Sequence, residues 1–390
     1  MIHPPRGFWL DRHYQIYNGL KIILIIIFVF NAAAEFHLLA KALRGDNIWI
    51  NDFFALWSFA KFSIVHPVID VYINSAIQGF QTSLGGDPQR LAPCFYPPSF
   101  LLYIMPLGLM SFYRAFIVWT ASTLLLYVVS SIFRQTRQVY AICIIILAPA
   151  TLIGIITGQT GLLASAVMVG GFRLVSKWPI LAGVVFGLAS FKPQFGLLIP
   201  IALISARQWR AVISAGVTIL ALIVVSGVAF GWSIWPMWLS KLPGHFDWVA
   251  HTNERFQPTI LANLSSLGVP LTPAWTIQAC IAVLVVIITW ICFRQGVTAL
   301  ATAVLLVGTF LATPYAFVYD MPMLTNAVLA LPRQSGRTPR FLTATETFTR
   351  ISVLLLPNIM VSYKLSMIRS LPLIILFGLI VWRILGARMR

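Results

Sequence analysis

The chain has 390 residues, of which 59% are hydrophobic and 9% charged. A soluble domain carries roughly 25% charge, so this composition excludes one and points to helices that cross a bilayer and satisfy their backbone groups internally. The net charge of +17 is expected of cytoplasmic loops that collect Lys and Arg and of attraction to anionic head groups and lipid phosphates; without a basic helix interleaved with aromatics outside the spans, no nucleic-acid partner is expected.

In chain order, Arg6, Arg12 and Lys21 precede the apolar run Ile22–Ala34. This reads as an uncleaved signal anchor with a cytoplasmic N-terminus, its first span over Tyr17–Leu39. A long loop follows, about residues 41–95. In it Phe53, Phe54, Trp57, Phe59 and Phe62 alternate with polar groups at spacings that suit a helix lying on the membrane interface, and Val71–Thr82 suits a second. Apolar runs then occupy about 99–112, 115–133, 138–157, 160–175, 178–191, 193–206 and 209–231. A second aromatic loop covers about 232–272, and further runs lie near 273–293, 297–312, 317–331, 350–363 and 369–386. Several are short for a ~20-residue span. The expected fold is an all-α polytopic membrane protein, one domain over 1–390 with about 12 transmembrane helices.

Basic clusters orient the spans. Arg173/Lys177, Arg207/Arg210, Arg294, Arg333–Arg340 and Arg383–Arg390 fit the cytoplasm, which puts both long loops on the opposite face. Arg134-Gln135-Thr136-Arg137 breaks the alternation, so one run between 97 and 157 is expected not to cross. Cys94, Cys143, Cys280 and Cys292 form no C-x-x-C pair, and the six histidines show no H-x-x-x-H spacing. Neither a metal site nor another cofactor is therefore expected, and dependence on a divalent metal stays open.

Polar groups at membrane depth are functional candidates, and here they converge on one face: Asp52, Asp70, Tyr96, Gln159, Lys192, Gln194, Arg255, Tyr315, Tyr319 and Asp320. Together they offer a base, cations for a phosphate and hydrogen-bond partners for a polar substrate. Each has a plainer reading. Asp52 is a good N-cap for the helix it opens. Lys192, before the helix-breaking Pro193, either holds a phosphate or snorkels. Tyr96-Pro97-Pro98 sets an extended entry to the next run. Gln159, between Gly158 and Thr160, packs at a bend or meets substrate. Tyr315 and Asp320 cap a helix or bind ligand, and Arg255 either pairs with Glu254 or clamps a phosphate.

The stretches Asn51-Asp52-Phe53-Phe54 and His66-Pro67-Val68-Ile69-Asp70, then Tyr96-Pro97-Pro98, Gly158-Gln159-Thr160-Gly161, Phe191-Lys192-Pro193-Gln194 with Arg207-Gln208-Trp209-Arg210, and Thr313-Pro314-Tyr315 to Tyr319-Asp320 occur in an order that resembles glycosyltransferase family 87 over about residues 17–331. At Thr313–Asp320 this chain lacks histidines that other members carry there. The resemblance implies a GT-C-type multi-helix bundle in the bacterial inner membrane, with interfacial helices in the first periplasmic loop and an active site facing the periplasm. It implies inverting transfer of a hexose, mannose in the typical case, from a polyprenyl-phosphate-linked donor to a lipid or glycan acceptor. It also makes Asp52, which matches the family's first-loop aspartate, the catalytic base. The rival expectations are a transporter or flippase, which would call for related halves with paired broken segments, and a lipid-carrier-dependent glycan ligase or polymerase.

Overall fold

The computed structural model describes residues 51–88, 91–132, 138–251, 256–331, 340–362 and 369–386, with Ala33 and His37 as isolated helical positions. The first span, Arg134–Arg137, Glu254, Arg255 and residues 332–339 lie outside the described residues. The described residues are helical, and no strand occurs among them.

Helix α1 runs over Asn51–Val65 and α2 over Asn74–Ser83, joined by a 3-10 turn at Val68–Tyr72. There follow α3 (Pro98–Gly108), α4 (Phe112–Ile132), α5 (Gln138–Leu147), α6 (Pro149–Thr157), α7 (Gly161–Leu174) and α8 (Pro179–Leu188). A 3-10 turn at Ala189–Phe191 leads to the single-turn helix α9 (Pro193–Gly196), then α10 (Leu198–Ser205) and α11 (Trp209–Phe230). The chain continues with α12 (Ile234–His251), α13 (Ile260–Ser266), α14 (Leu271–Phe293) and α15 (Ala299–Ala312), a 3-10 turn at Val318–Asp320, α16 (Pro322–Ala330), α17 (Arg340–Ser362) and α18 (Leu371–Gly386).

Local chemistry sets many of these starts. Proline occupies the first helical position of α3, α6, α8, α9 and α16, where its missing N–H costs nothing and its φ is already helical. Thr298 and Thr259 cap α15 and α13 through side-chain oxygens that accept from Ala301 N (3.1 Å) and Ala262 N (3.3 Å).

Three described helices are long and apolar enough to cross a membrane: α4, α11 and α14, with 21, 22 and 23 residues. Each leaves apolar side chains uncovered, among them Ile117 and Leu125 on α4, Ile213, Val217 and Val228 on α11, and Val283 and Ile287 on α14. Water would not tolerate so much contiguous apolar surface, and hydrocarbon does, so the chain is a helical membrane protein. The centre is the reverse. Helix α15 is buried on all sides, from Ala301 through Val304, Leu305 and Val307 to Phe310, and α7 nearly so. Glycines let helices close on one another. A Cβ at Gly183 would fall 2.4 Å from the Ala211 carbonyl oxygen, and one at Gly187 would fall 2.5 Å from Thr218 Cβ. This G-x-x-x-G pair on α8 brings α11 into backbone contact, and Ser214 Oγ adds a bond to Ile180 O at 2.8 Å.

Several expectations change. The aromatic residues of α1 form core rather than an exposed interfacial face: Phe53, Trp57, Phe59 and Phe62 are all buried. A Cβ on Gly108 of α3 would collide with the Ala60 backbone, and Trp57 Nε1 donates to Met110 O at 3.1 Å. The run 138–157 breaks at Ala148-Pro149 into α5 and α6. The second aromatic loop contains the helices α12 and α13. Helix α17 starts ten residues before its apolar run because Glu346, 2% exposed, is neutralised by Arg350 and by Arg383 of α18.

A Cβ at Gly161 would sit 1.7 Å from the Tyr319 carbonyl oxygen, so α7 starts in direct contact with the Val318–Asp320 turn. Gly161→Ala is expected to destabilise the protein by about 1–3 kcal/mol through overpacking against backbone. Gly216→Ala, at an open position on α11, should leave stability unchanged or slightly raised. Thermal unfolding of the two variants in detergent tests this, and matching melting temperatures would refute it.

Candidate active site

A cavity of about 160 Å³ is lined by residues from six parts of the chain. Ala55, Leu56 and Phe59 come from α1, and Ala92, Pro93, Phe95, Tyr96 and Pro97 from the segment before α3. Gln159 stands between α6 and α7. Phe191, Lys192, Pro193 and Gln194 form the break between α8 and α9, with Trp238 and Leu242 of α12 beside them. Tyr315, Phe317, Tyr319 and Asp320 complete the lining from the segment before α16.

Lys192 and Asp320 form its centre. Lys192 has extended-side backbone angles (φ −126°, ψ 75°) that interrupt the helix, as expected ahead of proline. Its ammonium donates to Asp320 Oδ1, and the two residues are 6% and 1% exposed. The ammonium also lies 5.2 Å from the centre of the Tyr319 ring and 5.3 Å from that of Phe195, within cation–π range. The other oxygen of Asp320 accepts from the Phe317 N–H at 3.2 Å, so Asp320 caps its own turn while holding the lysine.

Tyr96 anchors the opposite wall. Its hydroxyl donates to Gln159 Oε1 at 3.2 Å and lies 3.3 Å from Thr160 Oγ1. Its carbonyl accepts from Tyr72 Oη at 2.8 Å, and the neighbouring Phe95 carbonyl accepts from Trp238 Nε1 at 3.0 Å. Gln81, fully buried on α2, holds the start of this segment by donating to Ala92 O (3.1 Å) and accepting from Ala92 N (3.0 Å). Burial raises the Tyr96 phenol well above its ordinary range. The bond with Thr160 works against that rise, and the charges of Asp320, Cys94 and Asp52 add to it.

Asp52 thus lies within electrostatic reach of Tyr96. It is half-buried in the first turn of α1. Residues 52, 55, 56 and 59 follow helical spacing and share one face, and the last three line the cavity. Asp52 itself is not among the lining residues; it precedes them by one turn on the same face of α1.

Of the residues singled out in the sequence, Tyr96, Gln159, Lys192, Gln194, Tyr315, Tyr319 and Asp320 come together here. Asp70 does not join the lining; it belongs to the 3-10 turn Val68–Tyr72, where its carbonyl accepts from Ile73 N at 2.9 Å. Arg255 lies outside the described residues. The sequence did not single out Trp238, Phe317, Gln81 or Thr160. Trp238 sits in the aromatic stretch read as loop, and nothing local marks Gln81, whose partners are 11 and 23 positions away. Among the described residues, no group of three or more His, Cys, Asp or Glu is placed to hold a metal ion.

Apolar helices thus surround a cavity whose lining brings together one buried lysine, paired with Asp320, and several hydroxyl and amide groups. The profile of glycosyltransferase family 87 matches residues 95–314, more than half of the chain, and the chain belongs to that family. It is accordingly a glycosyltransferase, which uses a sugar donor and an acceptor. No curated protein and no solved structure matches the chain. The matched residues include Tyr96, Gln159, Lys192 and Gln194; they stop short of Tyr315, Tyr319 and Asp320 and begin after Asp52.

The Lys192–Asp320 pair generates a stability prediction. Removing one partner strands a buried charge, at a cost of about 3–5 kcal/mol, whereas an apolar replacement of both is much better tolerated. Lys192→Met and Asp320→Leu should each lower the melting temperature clearly, and the double variant should recover most of the loss. Additive losses would mean that the two charges do not depend on one another.

Proposed function

We propose that this protein is an inverting GT-C-type transferase that moves a hexose, mannose by family resemblance, from a polyprenyl-phosphate carrier to a lipid or glycan acceptor at the periplasmic face of the bacterial inner membrane. The observation that carries this reading is the convergence of the Asp52 face of α1 with Tyr96, Gln159, Lys192, Gln194, Tyr315, Tyr319 and Asp320 on one cavity.

The chemistry follows from those groups. A lipid phosphate is already a competent leaving group, so the enzyme has to take a proton from the acceptor hydroxyl and receive negative charge on the departing phosphate. Asp52 is the base: its carboxylate takes the hydroxyl proton as that oxygen attacks the anomeric carbon from the side opposite the phosphate. The bond from that carbon to the phosphate oxygen breaks, the electron pair leaves with the phosphate, and the configuration inverts. Lys192 supplies the positive charge. Asp320 and the rings of Phe195 and Tyr319 hold its ammonium in place before substrate arrives, which reduces reorganisation during the reaction. Tyr96 and Gln159, joined to one another, and Gln194 present donors and acceptors to sugar hydroxyls.

The geometry also supports an orientation. The C-terminal ends of α4, α7, α10 and α14 gather at one end of the bundle. There Asn326 Nδ2 donates to Ser131 Oγ (3.0 Å), Arg173 donates to Asn326 Oδ1 (3.4 Å), Ser205 Oγ donates to Trp290 O (2.6 Å), and the Phe172 and Phe293 rings lie 5.6 Å apart. This end carries Arg173, Arg207 and Arg294, so it is the cytoplasmic one, with the cavity at the other. The run that does not cross is α3. Its 11 residues span about 16 Å, against a hydrocarbon core of roughly 30 Å. It leaves the cavity at Tyr96 and ends against α1, where the Phe112 ring lies 5.7 Å from that of Phe53.

Two measurements test the reading. Asp52→Asn keeps the shape and loses the base, so turnover of a polyprenyl-phosphate sugar by purified enzyme should fall ~10²–10⁴-fold with an unchanged melting temperature. Near wild-type turnover would leave Asp52 as a helix cap. In a background with the four native cysteines replaced, a cysteine at Ser83 should react in whole cells with an impermeant maleimide, and one at Gln295 should not. Both positions are exposed, and the opposite labelling pattern would invert the orientation.

A further inference from the structure

We propose that the cytoplasmic corner where α8 and α11 begin binds the head group of an anionic phospholipid, held by Lys177, Arg207 and Arg210. The stretch Arg207-Gln208-Trp209-Arg210 has no part in the cavity, because α9 and α10 carry the chain roughly 20 Å from Lys192 to this corner. Helix packing brings the three cations together. Gly183 meets Ala211 and Ser214, and Gly187 meets Ala215 and Thr218, so α8 and α11 run parallel. The same register carried back sets Trp178, just before α8, level with Trp209, the first residue of α11, and sets Lys177 level with the Arg207-Gln208 turn. All three cations are exposed, and no ion pair engages them among the described residues. The sequence offers no local acid either, since none occurs between Asp87 and Asp247.

Neither topology nor helix stability accounts for this cluster. Orientation in a membrane follows Lys and Arg and is little affected by Asp or Glu, so acids could have balanced the corner. Arg210 lies in the first turn of α11, where the helix dipole disfavours a cation. Arg207 is the only described residue other than glycine with a positive φ, at 56°. It ends α10 in a Schellman turn, with Gln208 N donating to Leu203 O at 2.8 Å and Arg207 N to Ile204 O at 3.0 Å. Glycine takes that position without strain, whereas arginine there lowers stability. The turn thus forgoes stability to present a guanidinium, in a cluster of like charges that an anion relieves.

Depth and surroundings select a lipid as the source of that anion. Helix α11 has 22 residues and is about 33 Å long, against a hydrocarbon core of roughly 30 Å, so its first turn sits at the level of the head groups. Trp178 and Trp209, both exposed, mark the same level. Below Arg210 on one face of α11, Ile213, Val217, Leu220, Val224 and Val228 form an exposed apolar stripe. A phospholipid whose phosphate meets the cations lays an acyl chain along this stripe, and a soluble phosphate would meet the cations alone. Placement in the inner leaflet uses the orientation argued above; the binding itself rests on neither the donor nor the acceptor.

The test is native mass spectrometry of the full-length protein in detergent with equal amounts of phosphatidylglycerol and phosphatidylcholine carrying the same chains. Wild type should retain phosphatidylglycerol by about tenfold or more, and Arg207→Gly and Arg210→Gln should each lower that preference about fivefold, the effect of one cation near a lipid surface. Arg207→Gly should do so at a melting temperature equal to or above that of wild type, because glycine relieves the strained turn. Arg114→Gln, which removes an exposed arginine at the start of α4, should leave the preference unchanged. Equal retention of the two lipids by wild type would overturn the proposal. So would equal losses in all three variants, which would report net charge and not a site, or a lower melting temperature for Arg207→Gly, which would make that arginine part of the fold. Release of phosphatidylglycerol by a millimolar excess of inorganic phosphate would also overturn it, because the apolar stripe would then hold no chain.

Discussion

The contact on which the functional end of this protein depends is the buried ion pair between Lys192 and Asp320. Both groups have left water, so each is tolerable only because the other is there. That mutual need fixes two segments that regular helix would not place: the break between α8 and α9, and the turn before α16. With those two fixed, the polar residues around them have a defined wall to belong to. The remaining constraints converge on the same turn. Tyr127, fully buried on α4, donates to the Pro322 carbonyl at 2.6 Å, and Gly161 admits the Tyr319 carbonyl against α7.

Beyond this centre the protein follows the logic of a bundle in hydrocarbon. Small residues set the closest helix approaches, as at Gly183 and Gly187 against α11, and α15, buried from Ala303 to Ala312, serves as the axis around which the outer helices pack. Polar side chains inside the bundle act as ties rather than as chemistry. Asn326 links Tyr127 and Ser131 of α4 to Arg173 of α7, and Gln278 on α14 donates to the Leu311 and Ala312 carbonyls and accepts from Leu261 N. Such residues look like site candidates in a sequence, and only their partners show that they are structural.

Much of the fold was legible in the sequence because a bilayer allows few solutions. Apolar runs at 209–231 and 160–175 became α11 and α7 nearly residue for residue, and Lys192-Pro193 marked the helix break that occurs there. Where the reading differed, a partner distant in the sequence was decisive. The start of α17 was hidden because Glu346 reads as a solvated charge until Arg383, 37 positions on, is placed beside it. The aromatic face of α1 read as interfacial because α3, which covers it, leaves no trace in the local pattern. The site was legible as a set, since seven of the candidate residues line one cavity. Its internal wiring was not: nothing in the sequence joins Lys192 to Asp320 across 128 positions, or Tyr96 to Gln159 across 63.

The contact at Gly161 has a use in comparing sequences. Helix α7 and the Val318–Asp320 turn touch without room for even one methyl group, so the identity of a single residue reports on a loop more than 150 positions downstream. A divergent homologue with any side chain at this point must carry its acidic turn elsewhere, and aligning its aspartate with Asp320 would mislead. One with glycine retained can be aligned through both segments with the same geometry assumed. The position thus serves as a checkpoint for transferring site assignments from this chain to distant relatives, and it is located some 30 residues before Lys192 rather than within the acidic turn itself.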